Sequence, residues 1–166
     1  NFKLSLAGPA LKQARSVADH IHGKVINNTG YIGSSVVKVF NFNAAATGLN
    51  EKTLANLNID YDWAQIIPKD KVGIMPDAEE LGFKVIFEKP TGRVLGAQAI
   101  GHGNVDKRVD VIATAIKFGA TVENLRDLEL CYAPPFGTGK DAINYAGYVA
   151  SNLLHGAFKQ VAMSDV

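Results

Sequence analysis

The sequence predicts an α+β fold, an antiparallel sheet with helices packed on one face. Three features carry that expectation. The apolar runs 82–89 and 93–101 flank Pro90-Thr91-Gly92, the pattern of an antiparallel hairpin closed by a type I turn. Further along, Val105, Val109, Ile112 and Ile116 recur at helical spacing, and so do Ile143, Ala146, Gly147, Ala150 and Leu153. Strand signals thus precede a run of helices, the order expected when the two kinds of element segregate.

From the N-terminus, Gly8-Pro9 opens a helix that ends at Gly23, with Gly8 near the N-cap and Pro9 at the first helical position. Leu11, Ala14, Val17, Ala18 and Ile21 form its apolar face. The Gly- and Asn-rich segment 24–33 reads as a loop. Residues 36–42 have the Val and Phe content of a strand, 44–48 read as a turn, and Asn50 caps a short helix through Leu57. Another strand spans 59–67 and ends at Pro68. After the hairpin, Asn104 caps the helix of the Val105 stripe, Gly119 stops it, and Thr121 starts a short helix through Leu128.

A chain of 166 residues, 47% of them hydrophobic, suits one domain with its own core and is too apolar for a disordered segment. The formal net charge of +1 supplies no basic field for nucleic acid. No apolar run approaches the roughly 20 residues of a membrane span. Cys131 is the only cysteine, which excludes an internal disulfide and a Cys/His metal framework; in its apolar run it reads as a small buried hydrophobe. The opening NFKLSLAGPA has no signal-peptide pattern, and a cytoplasmic protein is expected. Asn1 in place of a starting methionine and an uncapped end at Ser164-Asp165-Val166 predict a chain cut at both ends.

The functional reading is organised by Leu130–Leu154, LCYAPPFGTGKDAINYAGYVASNLL. Pro134 and Pro135 set φ at two successive positions and hold the ring of Tyr132 in a preset aromatic turn ending at Phe136. The helix behind it has small residues at Ala142, Ala146, Gly147 and Ala150, which permit close approach of another element or of a second copy. Other patterns fail. Gly139-Lys140 lacks the glycine at position 134 and the Ser or Thr at 141 that a phosphate loop requires. Gly101-His102-Gly103 lacks the third glycine of a dinucleotide fingerprint. Asp60 and Asp62 have no His, Glu or further Asp at ligand spacing, so they read as a solvated strand face and no metal site is expected.

The segment YAPPFGTGKDAINYAGYVASN resembles the C-terminal signature of the flavin-dependent pyridine nucleotide-disulfide oxidoreductases, and most closely the branch of NADH oxidases and coenzyme A-disulfide reductases. GYIGSSVVKVFNFNAAATGLNE at Gly30–Glu51 and GRVLGAQAIGHGNVDKRVDVIATAI at Gly92–Ile116 are similar to that family in the same order. The resemblance implies the dimerisation domain of an FAD/NAD-linked reductase over residues 30–155. Residues 1–29 would be the end of an FAD domain and a linker, and 156–166 a connector that in some members leads to a rhodanese domain. The parent would be a homodimer using FAD and NAD(P)H, with no cofactor expected on this fragment alone. Tyr132 matches the tyrosine of the family's YAPP loop, which in coenzyme A-disulfide reductases helps to protonate or orient the leaving thiolate in the partner subunit. Pro134, Pro135 and Phe136 would lie near the partner's flavin. Leu6-Ala7-Gly8-Pro9 matches a stretch that sits against the flavin, so Ala7, Gly8 and Pro9 would be the remnant of an FAD site. The family's redox cysteine belongs to the FAD domain, and Cys131 does not correspond to it.

One departure bears on the substrate. Where the family often has Gly-Tyr-Tyr-Pro-Gly, this chain has Gly73-Ile74-Met75-Pro76-Asp77, without a phenol. That leaves room for an NADH oxidase or for a reductase of a persulfide or another sulfur substrate. Two further readings stay open: a free-standing module whose Tyr132–Phe136 loop holds a peptide or coenzyme A-like ligand, and a small enzyme using Tyr132, Lys140 or Asp141.

Overall fold

A computed structural model describes residues 4–27 and 29–161. Helix α1 (Ala7–Ile21) is followed by β1 (Ser35–Val39), β2 (Phe42–Gly48), α2 (Glu51–Asn56), β3 (Tyr61–Ile66), β4 (Leu81–Glu88), β5 (Val94–Gly101), α3 (Val105–Lys117), α4 (Val122–Asp127) and α5 (Ala142–Leu154). The strands form one antiparallel sheet in the order β1-β2-β5-β4-β3, in agreement with the α+β expectation.

Most of the core lies on one face. Ala45, Ala64, Phe83, Val85, Ala97 and Ala99 pack there with Val109 and Ile112 of α3, Leu125 of α4, and Ile143, Ala146 and Ala150 of α5. Each fully buried large side chain, Phe83 among them, stabilises the fold by roughly 1.5–3 kcal/mol relative to exposure. A smaller cluster covers part of the second face, where Leu54 of α2 meets Ile86 and Leu95. A bulge makes this possible. Ile86 pairs with Gly96 and Phe87 with Val94, so Leu95 is the extra residue and turns out of the alternation towards α2.

Residues 44–48 form the second half of β2, not a turn. Alanine has little intrinsic preference for strands, but between β1 and β5 the small side chains of Ala45 and Thr47 let α3 come close, and packing overrides propensity. The chain leaves β2 at Gly48, whose φ is 72°, and passes tightly over β5. A Cβ at Gly96 would lie 2.0 Å from the Leu49 carbonyl oxygen.

The short helices start as their sequences predict. The Asn50 side chain accepts the Thr53 N–H at 2.9 Å, and Thr121 forms a capping box with Asn124. Two caps differ. Asn104 has φ 56° and makes no side-chain bond to α3, because this left-handed conformation is not the extended one an N-cap needs. Helix α1 begins at Ala7 with Leu6 as cap, which makes Gly8 and Pro9 its second and third residues. Proline is tolerated there because no N–H of the first turn has an intrahelical partner.

The β4–β5 hairpin is closed by Gly92 N–H to the Glu88 carbonyl at 2.8 Å, one residue wider than a type I turn. Its shape is set from outside, since Val122 N–H donates to the Gly92 carbonyl and Val94 N–H to that of Ala120, both at 2.9 Å.

The small-residue face of α5 is used within the chain. A Cβ on Gly147 would lie 2.5 Å from the backbone nitrogen of Arg126, so α5 packs backbone-close on α4, and no room is kept there for a second copy. Helix α1 behaves in the opposite way. None of its residues is buried, and Leu11, Val17 and Ile21 remain exposed along one side.

Candidate functional site

The aromatic turn lies between α4 and α5. Phe136 N–H and Gly137 N–H both donate to the Ala133 carbonyl, at 2.9 and 3.2 Å, and close the turn that the two prolines preset. No element covers it. Tyr132 is 52% exposed and Phe136 66%, and Pro134 and Pro135 are exposed as well. The Tyr132 ring edge is 3.9 Å from where a Cβ on Gly139 would stand, an ordinary contact distance. The Thr138 hydroxyl donates to the Lys140 carbonyl, and the Lys140 ammonium sits 5.4 Å from the centre of the Tyr148 ring. Cys131 is exposed, against the expectation of a buried hydrophobe, because Leu128 and Leu130 of the stretch leaving α4 are the residues that turn to the core.

Beneath the turn lies a buried ion pair that the residue pattern did not single out. Arg108 of α3 donates from Nε and Nη2 to the two carboxylate oxygens of Asp141, at 3.0 and 2.9 Å. Its Nη2 also donates to the Asp70 carbonyl at 2.7 Å, and its Nη1 to that of Asn104 at 3.2 Å. Asp141 is at the same time the N-cap of α5, accepting the Ile143 N–H at 3.2 Å, while its own N–H donates to the Asn144 side chain at 3.0 Å. Asn144 in turn donates to the carbonyls of Leu125 and Leu128 at 3.1 and 2.9 Å, tying the start of α5 to α4. The sequence did hold a signal: Arg108 stands three residues after Val105 and four before Ile112, on the apolar stripe itself. A charge at that spacing calls for a buried partner.

The 69–80 loop touches the aromatic turn through Val72, whose N–H donates to the Gly137 carbonyl at 3.1 Å. Lys71 and Asp77 meet at 2.6 Å across this loop. The hydrogen bond raises the pKa of the Lys71 ammonium and lowers that of the Asp77 carboxyl.

Ala7, Gly8 and Pro9 form the first turn of α1, where Ala10 N–H to the Leu6 carbonyl is the first helical bond. Helix geometry leaves the N–H groups of Ala7 and Gly8 without intrahelical acceptors, and both residues are exposed. Gly8 and Pro9 line one side of a cleft of about 580 Å³, opposite Tyr31 and the Asp110–Lys117 side of α3. The aromatic turn lines no part of that cleft, so within one chain the two predicted groups of site residues stay apart.

Among the described residues no group of three or more His, Cys, Asp or Glu is placed to hold a metal ion. Asp62 accepts from Trp63 N–H at 2.8 Å and from the Gln160 side chain at 2.7 Å, and Asp60 pairs with Lys89 at 3.2 Å, so the two aspartates are engaged separately. No described helix is long and apolar enough to cross a membrane.

Comparison with known proteins agrees with this architecture. Residues 34–142 match the family described as pyridine nucleotide-disulphide oxidoreductase, dimerisation domain. A coenzyme A disulfide reductase of Staphylococcus epidermidis is 35% identical over 149 residues, covering 89% of this chain and 34% of that protein. The crystal structure of reduced Bacillus anthracis CoADR-RHD superposes with a TM-score of 0.93 at 46% identity, over 96% of this chain and 29% of that one. An NAD-dependent persulfide reductase from A. fulgidus gives 0.87 at 37% identity, over 92% of this chain and 28% of that one. The chain spans about a third of the length of the curated relatives it matches. With a family match over most of its length and the same fold in these relatives, the chain belongs to the pyridine nucleotide-disulphide oxidoreductase family, as its dimerisation domain.

Proposed function

We propose that this domain comes from an FAD-dependent NAD(P)H oxidoreductase acting on coenzyme A disulfide, a persulfide or oxygen, and that its aromatic turn completes the active site of a second copy. The observation that carries the reading is a pair of exposed rings, Tyr132 and Phe136, on a turn that is braced from beneath and left uncovered by the described residues. In this role the Tyr132 hydroxyl protonates or orients a leaving thiolate, as a phenol can where the developing charge is desolvated. Pro134, Pro135 and Phe136 add apolar surface that excludes water beside the partner's flavin.

The first turn of α1 fits the same reading. The exposed N–H groups of Ala7 and Gly8, with Pro9 fixing the turn, suit a flavin carbonyl or another electron-rich oxygen. FAD, when bound, would carry electrons from NAD(P)H to the acceptor. Residues 1–29 would then close an FAD domain, 30–155 form the dimerisation domain, and 156–166 lead onward, in a parent with a rhodanese domain or without one. We place that parent in the cytoplasm. Relatives named as coenzyme A disulfide and persulfide reductases favour a sulfur acceptor over oxygen. They also favour the flavoenzyme over a free-standing coenzyme A-binding module, because they are about three times as long.

Two measurements test the reading. Light scattering of this chain across a dilution series is expected to give a dimer. In the full-length protein, Tyr132→Phe is expected to lower NADH-driven turnover of coenzyme A disulfide by about 10²-fold or more, with flavin reduction by NADH unchanged. Unaltered turnover in that variant would remove Tyr132 from the chemistry. Saturable binding of coenzyme A to the monomeric chain would favour the binding module instead.

A further inference from the structure

One arginine joins two loops that the regular elements leave separate. The 69–80 loop is closed on itself by Asp70, whose N–H donates to the Glu79 carbonyl at 2.8 Å and whose carboxylate accepts the Glu79 N–H at 3.0 Å. The Tyr132–Lys140 loop runs beside it through the Val72–Gly137 bond at 3.1 Å. Arg108, 0% exposed, lies at the root of both, with Nη2 on the Asp70 carbonyl and Nε and Nη2 on Asp141. Asp70 and Asp141 are buried too.

Stability alone does not account for such a pair, since apolar residues of the same volume usually stabilise as well or better. What a guanidinium adds is geometry: a rigid fork with several donors in one plane, able to fix a carboxylate and a carbonyl at once. What it fixes here is the base of two exposed segments. Ile74, 85% exposed, is two residues from one end of the Val72–Gly137 bond, and Phe136 is next to the other end.

We propose that Arg108 is a positioning residue that locks the 69–80 and 132–140 loops into one surface, so that Ile74, Tyr132 and Phe136 meet a single ligand together. The ligand part rests on the function proposed above; the locking part does not.

Amide hydrogen exchange on this chain tests the lock, with Arg108→Lys, which keeps the charge but not the fork, and Asp141→Asn, which keeps the capping oxygen but not the carboxylate. Exchange within 70–79 and 133–140 is expected to quicken about tenfold or more beyond whatever β4 and β5 show, since the strands report only the global loss of stability. Equal quickening everywhere, no change in the loops, or failure of both variants to fold would overturn the proposal, since the pair would then belong to the framework. In the full-length protein, Arg108→Lys is expected to lower kcat with coenzyme A disulfide and leave KM for NADH unchanged. If Tyr132→Phe is without effect on that turnover, the ligand part falls and the exchange result stands.

Discussion

Arg108 and Asp141 meet through two parallel hydrogen bonds of 3.0 and 2.9 Å, with both side chains almost wholly withdrawn from water. They come from elements 33 residues apart in sequence, and Asp141 caps one helix while Arg108 projects from another. The pair therefore links α3 to the start of α5 at the end of the domain that carries the aromatic turn.

Removing one partner alone should be costly. Arg108→Met leaves a buried carboxylate without its counter-charge, and a loss of about 3–5 kcal/mol is expected in urea unfolding. Arg108→Met with Asp141→Ser, which keeps a capping oxygen, should recover most of that loss. Equal instability of the single and double variants would mean that the cap, not the charge, is what matters.

Gly147→Val places side-chain atoms against the Arg126 backbone, where even a Cβ would come within 2.5 Å. The α4–α5 contact must open, with an expected cost of about 1–3 kcal/mol or more. The effect should appear as a lower unfolding midpoint at every protein concentration. A variant of wild-type stability that has lost only its self-association would contradict the intramolecular packing.

The hairpin tip should respond to acid. Thr91 and Arg93 donate to the Glu88 carboxylate and hold its pKa below the ordinary glutamate value. A lowered folded-state pKa means that this stabilisation is present above the unfolded-state value and is lost as pH falls through the folded-state one. Glu88→Gln should therefore be less stable than wild type near about pH 7, with the gap closing towards about pH 3. Urea midpoints at the two pH values measure it, and a gap that widens on acidification would reverse the assignment.

Surface and core aromatics should separate cleanly. Tyr132→Phe and Phe136→Ala change exposed groups, and stability is expected to stay within about 0.5 kcal/mol of wild type. Phe83→Ala empties a fully buried site and should cost about 3–5 kcal/mol in the same assay.

Much of this architecture was legible from residue order alone. Apolar runs around a proline turn marked β4 and β5, 3.6-residue spacing marked α3 and α5, and Asn50 and Thr121 marked helix starts, because each signal is local and physically self-sufficient. The aromatic turn was legible for the same reason, since two successive prolines set φ locally, although the bond from Val72 N–H to the Gly137 carbonyl was not. Tertiary structure decided the rest. The alanines of β2 form a strand only because β1 and β5 flank them and α3 lies above Ala45. The glycine face of α5 went to α4, since small residues permit close packing without naming the partner. Arg108 found Asp141 across 33 residues of chain, a pairing that no local period encodes and that only the packing of α3 beside α5 brings about.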